Sequence, residues 1–248
     1  SRILGLKAAK GMHKMAKEEL CGTDEELQAA LQNPEFKAVA PAISKDALTL
    51  VKYKDEGVLP ITPEKYKRIM LVNIKGAETP MAKLAAIAMG GGAQKKTPVE
   101  KLCDKLNEKG FEAFVYESPL DKMMKQVEAG GKFDMNLYFA GKNAISEFVS
   151  GQDLVISFFD VGGGHPTFGL SKGGGEIPWY VHELPVIGVS VNKPTMLADA
   201  PMLRTYINTY DSSDHTLDAL VDALLTGPEA FKGTDPIDAY CGMFDTHM

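Results

Sequence analysis

The sequence predicts an α/β domain: a three-layer αβα sandwich with a mostly parallel six-stranded sheet, preceded by a helical connecting arm. Three observations predict this fold. Apolar runs suited to buried strands alternate with segments of helical periodicity. Glycine and proline mark the boundaries between them. A chain of 248 residues is also long enough to bury a full core. Strands that alternate with helices are typical of a parallel sheet covered on both faces.

The first 60 residues are predicted to form the connecting arm. Their apolar side chains recur at helical spacing, and Asn33-Pro34 interrupts that pattern. The predicted elements are a helical segment within 1–20, a second helix capped by Thr23 or Asp24, an amphipathic segment at 36–44 and a short strand at 48–53. The predicted boundaries are therefore an arm at 1–60, made of the end of a preceding domain and a linker, and an α/β sandwich domain at 61–248.

The remaining residues alternate between strands and helices. Thr97, Pro98 and Glu100 form a strong helix start, with an N-cap, a first-turn proline and a capping box. The predicted strands are at 68–74, 111–116, 133–140, 153–159, 183–191 and 205–208. The predicted helices are at 97–109, 121–129 and 214–225.

Composition excludes several classes of function. The net charge of −6 and the absence of a basic run argue against nucleic-acid binding, which needs a basic face. No apolar run reaches the roughly 20 residues of a membrane span. The acidic balance is typical of a soluble protein. The three cysteines are widely spaced and form no CxxC, which argues against a zinc cluster and a disulfide framework.

A glycine-rich segment follows one predicted strand. Gly162-Gly163-Gly164 comes directly after the strand that ends at Asp160, and His165 follows. Ligands of open α/β sheets bind beyond the carboxyl ends of strands, and glycines let a backbone approach a phosphate or sugar. Neither GxGxxG nor GxxxxGK[ST] is present, so a nucleotide site is disfavoured. A flexible surface loop is the favoured interpretation of the same pattern.

Other chemistry-bearing residues lie near that loop. Trp179-Tyr180 offers an aromatic face for a sugar ring, although a core or interface anchor is the favoured interpretation of the pair. His182 stands close to Glu176 and Glu183 and requires convergence in space to act in acid–base catalysis. The substrate-rim candidates are Asp160, His165, Trp179 and His182.

Two tripeptides imitate catalytic motifs. Ser213-Asp214-His215 and Asp245-Thr246-His247 both contain triad residue types. Members of a working triad converge from separate segments, so adjacency is weak support. Ser213 and Asp214 more simply cap the helix that follows. No residue of this chain is predicted to be catalytic, to bind a cofactor or to ligate a metal, and no cofactor is predicted.

Several stretches, taken in order, resemble one family. They are Arg2-Ile3-Leu4-Gly5-Leu6-Lys7, Ser44 to Tyr53 with Gly57-Val58-Leu59-Pro60, Ile177 to Pro185, Thr205 to Tyr210, and Phe231 to Thr246. Together they resemble glycoside hydrolase family 3, in its β-N-acetylglucosaminidase branch. The resemblance covers essentially the whole chain, and it identifies the chain as similar to the C-terminal domain of such an enzyme.

The resemblance implies a division of labour. The full enzyme would pair an N-terminal barrel domain with this α/β domain and would remove terminal N-acetylglucosamine from glycans with retention. Retention implies a carboxylate nucleophile and a covalent intermediate. The family places that Asp, the His acid/base and the motif Lys-His-Phe-Pro-Gly-His-Gly on the barrel, and none of these motifs occurs in this sequence.

Two hypotheses follow. In the first, the chain is a non-catalytic domain that supports the barrel and lends a loop to the rim of its active site. In the second, it is an autonomous carbohydrate- or phosphate-binding module that uses the glycine-rich loops. A large exposed apolar surface would favour the first hypothesis, because a severed domain exposes the face that its partner covered.

Overall fold

The computed structural model describes residues 2–16, 23–76, 96–117, 149–162, 166–167 and 179–236. The chain divides into two compact units, residues 1–43 and 44–248. The strand predicted at 48–53 belongs to the sheet of the second unit. The domain boundary predicted after residue 60 stays a prediction.

The described part of the first unit is helical. Its elements are α1 (Arg2–Ala9), a 3-10 turn (Met12–Lys14), α2 (Asp24–Leu31) and the first part of α3 (Pro34–Ala47). Thr23 begins α2 as predicted, since its hydroxyl accepts a hydrogen bond from the Glu26 amide at 3.2 Å. The Glu26 carboxylate in turn accepts from the Thr23 amide at 2.9 Å. This reciprocal pair completes a capping box.

A single sheet organises the second unit. Its strands are β1 (Thr49–Tyr53), β2 (Arg68–Gly76), β3 (Glu112–Val115), β4 (Leu154–Asp160), β5 (Pro166–Thr167), β6 (Val186–Ser190) and β7 (Thr205–Asn208). The order is β1-β7-β6-β4-β2-β3, and β5 pairs separately with the end of β2. β7, β6, β4, β2 and β3 are parallel, and β1 is antiparallel to β7. The predicted fold class, a mostly parallel six-stranded sheet with helices, is confirmed, and the two-residue β5 is an addition to it.

Apolar cores lie on both faces of the sheet. In β4, Leu154, Ile156 and Phe158 enter one core, whereas Val155 and Phe159 enter the other. The whole strand is therefore apolar up to Asp160, as expected for a strand buried on both faces. Helices α4 (Pro98–Glu108) and α5 (Asp214–Thr226) cover the first core. The helix predicted at 121–129 and the strand predicted at 133–140 lie outside the described residues.

Ion pairs join α4 and α5 along their exposed sides. Lysines spaced four residues apart on α4 and at its C-cap meet aspartates with the same spacing on α5, so each pair lies about one helical turn from the next. The pairs are Lys101–Asp214 at 2.9 Å, Lys109–Asp222 at 3.2 Å and, between them, Lys105–Asp218. The Glu100 carboxylate accepts from the Thr97 amide at 2.7 Å, which confirms the predicted start of α4.

Candidate functional site

Strands β2 and β4 lie side by side where the order of the sheet changes direction. β3, which follows β2, lies on one side of it, whereas β4, β6 and β7 follow on the other. Open α/β sheets bind ligands beyond the carboxyl ends of strands at such a switch point. The two strands end in register, with Lys75 opposite Asp160. Asp160 therefore occupies the place where folds of this class bind ligands.

Among the described residues, the Asp160 carboxylate has one hydrogen-bond partner. Asn192 lies two residues beyond the end of β6, and its side-chain Nδ2 donates to Asp160 Oδ1 at 2.6 Å. Asp160 is half-buried and Asn192 is exposed. No lysine, arginine or histidine of the described ranges forms an ion pair with Asp160. The pair is thus a carboxylate oriented by an amide, open to solvent on one side.

A buried acceptor lies next to this pair on β2. Asn73 is opposite Phe158 in the sheet register, and strand alternation places it on the same face as Asp160, one pleat below. Its Oδ1 is buried and has no hydrogen-bond partner among the described residues. A buried acceptor left unpaired is costly, and such groups call for a functional or solvent explanation.

The structure describes only some of the four predicted rim candidates and does not bring those together. Asp160 is at the switch point, as described above. His182 ends the 3-10 turn Trp179–His182 and is exposed, with no hydrogen bond to Asp160. The side chain of Trp179, and His165 entirely, lie outside the described residues. The structure therefore pairs Asp160 with Asn192, a residue that the sequence analysis did not single out, and the role of all four candidates stays a prediction.

Tyr180 anchors the turn that carries His182. Its ring is fully buried in the second core, and its hydroxyl lies 2.8 Å from Ser157 Oγ on β4. Burial raises the pKa of Tyr180 to about 12, and the Ser157 hydrogen bond offsets part of that rise. The phenol is consequently neutral at physiological pH and acts as a structural anchor.

The tripeptide Ser213-Asp214-His215 serves the start of α5. Ser213 is the N-cap, and its hydroxyl accepts from the Thr216 amide at 3.4 Å. The Asp214 carboxylate pairs with Lys101 on the neighbouring helix. The capping interpretation is therefore confirmed for Ser213. Asp245-Thr246-His247 lies outside the described residues.

A surface depression with polar lining residues lies near the start of β1. An open depression of about 400 Å³ is lined by Asp46, Ala47, Tyr210, Lys232, Gly233, Thr234 and Pro236. The Tyr210 hydroxyl donates to Thr49 Oγ1 at 3.0 Å. Burial raises the pKa of Tyr210. This described lining holds one carboxylate and no histidine, so it does not assemble an acid–base pair.

Neither a metal cluster nor a membrane-spanning helix emerges from the described ranges. No three His, Cys, Asp or Glu side chains there come close enough to hold an ion. No helix among them is both long and apolar enough to cross a bilayer. Cys103, half-buried on α4, is a free thiol whose Sγ lies 3.3 Å from the Ala113 carbonyl.

Comparisons with known proteins place this fold. No family model matches the chain. A β-N-acetylglucosaminidase/β-glucosidase of Cellulomonas fimi is 33% identical over 254 residues, which is 100% of this chain and 39% of that protein. Among solved structures, the β-glucoside phosphorylase BglX has a TM-score of 0.70 at 24% identity over 99% of this chain and 38% of that one. A glycoside hydrolase family 3 β-N-acetylglucosaminidase from Paenibacillus sp. str. FPU-7 has a TM-score of 0.50 at 15% identity, over 94% of this chain and 37% of that one.

The sheet and its two cores define an α/β domain of the kind found in these larger carbohydrate-active enzymes. The resemblance predicted from the sequence is confirmed: the chain is homologous over its whole length to part of the Cellulomonas fimi enzyme, and its structural neighbours include glycoside hydrolase family 3 enzymes. The chain spans 39% of the length of the Cellulomonas fimi relative, a share that fits the C-terminal domain of such an enzyme.

Proposed function

We propose that this chain is the non-catalytic C-terminal domain of a retaining glycosidase that removes terminal N-acetyl-β-glucosamine. The observation that carries the proposal is the match to the Cellulomonas fimi enzyme, which includes the whole of this chain but only 39% of that protein. A chain that corresponds to one part of a larger glycosidase is expected to act together with the remaining part. The partner is then an N-terminal barrel domain of the same protein, and the substrates are glycans that contain N-acetylglucosamine.

The local chemistry of this chain supports a non-catalytic role. A retaining glycosidase needs two carboxyl groups, or an equivalent pair, on either side of the scissile bond. In the described ranges, Asp160 contacts an amide, Asp214 pairs with a lysine, and the exposed His182 has no hydrogen bond to a carboxylate. The sequence resemblance assigns the nucleophile and the acid/base to the barrel.

Exposed apolar side chains support a missing partner domain. The large hydrophobic residues that remain exposed in the described ranges all lie between Ile3 and Ile43. Leu4 is 71% exposed and Ile43 is 62% exposed. Apolar surface of this extent marks a place that another protein surface covers. We assign that cover to the barrel.

The rim of the active site is the second part of the proposal. Asp160 stands at the switch point of the sheet, where a loop can reach across to a neighbouring domain. His165, Trp179 and His182 are the further rim candidates, and each would contribute a hydrogen bond or a stacking face to a sugar. None of them is required to transfer a proton.

Hydrolysis of a chromogenic N-acetyl-β-glucosaminide tests the proposal. The chain alone and the full-length protein are assayed at equal concentration, with and without inorganic phosphate, because a phosphorylase shares this fold. We expect turnover by the full-length protein and none by the chain alone. Turnover by the chain at a rate near that of the full-length protein would contradict the non-catalytic role. Calorimetric binding of N-acetylglucosamine or phosphate to the chain alone would favour an autonomous binding module instead.

A further inference from the structure

The Asp160–Asn192 pair has the composition of a hydroxyl-binding site. Asn192 Nδ2 donates to one carboxylate oxygen, Oδ1, at 2.6 Å. The other oxygen, Oδ2, makes no hydrogen bond within the described part of the chain. A carboxylate is an acceptor with two oxygens, and an amide supplies further donor and acceptor capacity beside it. The pair therefore presents a free acceptor held in a fixed direction.

The pair lies at the carboxyl ends of two neighbouring strands of the sheet. Asp160 is the last residue of β4, and Asn192 lies two residues beyond the end of the neighbouring parallel strand β6. The sheet therefore holds the carboxylate in place, and sites on rigid elements hold their geometry better, whereas the amide comes from the segment that follows β6. Asn73, one pleat below on β2, adds a buried oxygen without a partner on the same face.

The chemistry favours a neutral hydrogen-bond donor over a cation. A metal ion of the Ca²⁺ type takes six to eight oxygen ligands, drawn from carboxylates, carbonyls and waters. No cluster of three acidic, histidine or cysteine side chains exists in the described ranges. One carboxylate beside amide groups suits the hydroxyls of a sugar, which donate to the carboxylate and accept from the amide.

We infer that Asn192 is a positioning residue, which holds the Asp160 carboxylate so that its free oxygen binds a hydroxyl group of the glycan substrate. The inference rests on the proposed function, because the sugar reaches this edge only in the company of the barrel. It deepens that proposal by naming the pair of residues and the sugar group that it recognises. Charge-assisted hydrogen bonds of this kind are the stronger ones, so losing one weakens substrate binding.

The test uses the full-length protein with the variants Asp160→Asn, Asn192→Ala and the double variant. The matched control is Asp222→Asn, the same chemical change at an exposed ion pair on α5. We expect Asp160→Asn to raise KM on the order of tenfold with kcat nearly unchanged, since about 1.4 kcal/mol of lost binding is a tenfold change. Asn192→Ala should raise KM by a smaller factor, and the double variant should be no worse than Asp160→Asn alone.

The outcomes of the test distinguish failure of the inference about Asp160 and Asn192 from failure of the proposed function. Equal melting temperatures for all variants exclude a merely structural cause, and the KM-against-kcat split separates positioning of substrate from a change in chemistry. Unchanged KM in Asp160→Asn, or additive effects of the two substitutions, would overturn the inference while leaving the proposed function standing. A full-length protein that does not hydrolyse the substrate at all would overturn the proposed function, and the inference with it.

Discussion

The two units of this chain treat their apolar side chains in opposite ways. In the second unit, residues such as Leu102, Ile156 and Leu220 are completely buried. In the first unit, Leu4 on α1 is 71% exposed and Leu27 on α2 is 55% exposed. Amphipathic periodicity thus predicts which residues share a face, but a face is buried only where a second element is present to cover it.

The difference shows where the stability of the chain resides. Most helical stability in proteins comes from packing of an apolar face rather than from intrinsic propensity. Helix α2 has a complete capping box and yet buries no residue among those described, whereas α4 buries Val99, Leu102 and Leu106. Caps define where a helix begins, and packing supplies the larger share of its free energy. Substitutions of the same chemical kind should therefore have very different effects in the two units.

The largest difference is expected for leucine-to-alanine substitutions. Leu102→Ala removes a fully buried side chain from the core between α4 and the sheet, and it should lower the free energy of unfolding by about 2–5 kcal/mol. Leu27→Ala, the control on α2, should change it by less than about 0.5 kcal/mol. Urea denaturation followed by far-ultraviolet circular dichroism, which detects the helices of both units, measures the change. Equal losses for both variants would contradict the comparison.

Glycine-to-alanine substitutions in the two units should differ by a smaller amount in their effect on stability. A Cβ atom added at Gly188 would lie 2.6 Å from Tyr206 Cδ2 and 2.8 Å from Leu203 Cδ1, closer than atoms pack. Gly188→Ala should destabilise the second unit by about 1–3 kcal/mol through overpacking. Nothing lies within 4 Å of the Cβ position at Gly5 on α1, so Gly5→Ala should be neutral or slightly stabilising. Thermal melts of the two variants, beside the unmodified chain, check both signs; a stabilising Gly188→Ala would mean that β6 can shift away from β7.

Local sequence patterns predicted many of the helices and strands. The strand at 205–208 and the helix that begins after Thr97 were predicted at their observed places, because strand-forming residue types and capping chemistry are local signals. The strand predicted from 183 begins at 186, since the Glu183 amide donates to the Tyr180 carbonyl at 3.0 Å and so closes the preceding turn. The two-residue β5 has no periodicity of its own, so no sequence pattern predicts it.

The site was harder to predict than the fold. Asp160 was predicted as a rim candidate because it follows an apolar strand, and that strand observation is local. Its partner Asn192 lies 32 positions later, and only the register of β4 with β6 brings the two side chains together. The position of Asn73 near Asp160 likewise follows from the register of β2 with β4, in which Asn73 lies opposite Phe158. Sheet register is a non-local property, and periodicity within one segment does not contain it.

The smallest effect concerns the ion pairs between α4 and α5, and it depends on pH. The hydrogen bond from Lys101 and its charge hold the pKa of Asp214 below its ordinary value of 3.8. A carboxyl group whose pKa is depressed by folding stabilises the folded state above its unfolded pKa. That contribution is lost as the pH falls through the pKa that the group has in the folded state.

Lys101→Met should therefore lower the melting temperature slightly at neutral pH, and this difference in melting temperature should shrink once the pH falls below 3.8. Lys45→Met is the matched control, because it removes the same charge from a lysine without an ion pair in the described ranges. Melting curves between neutral pH and about pH 3 make the comparison. A deficit of constant size across that range would show that Lys101 acts through packing of its aliphatic stem and not through Asp214.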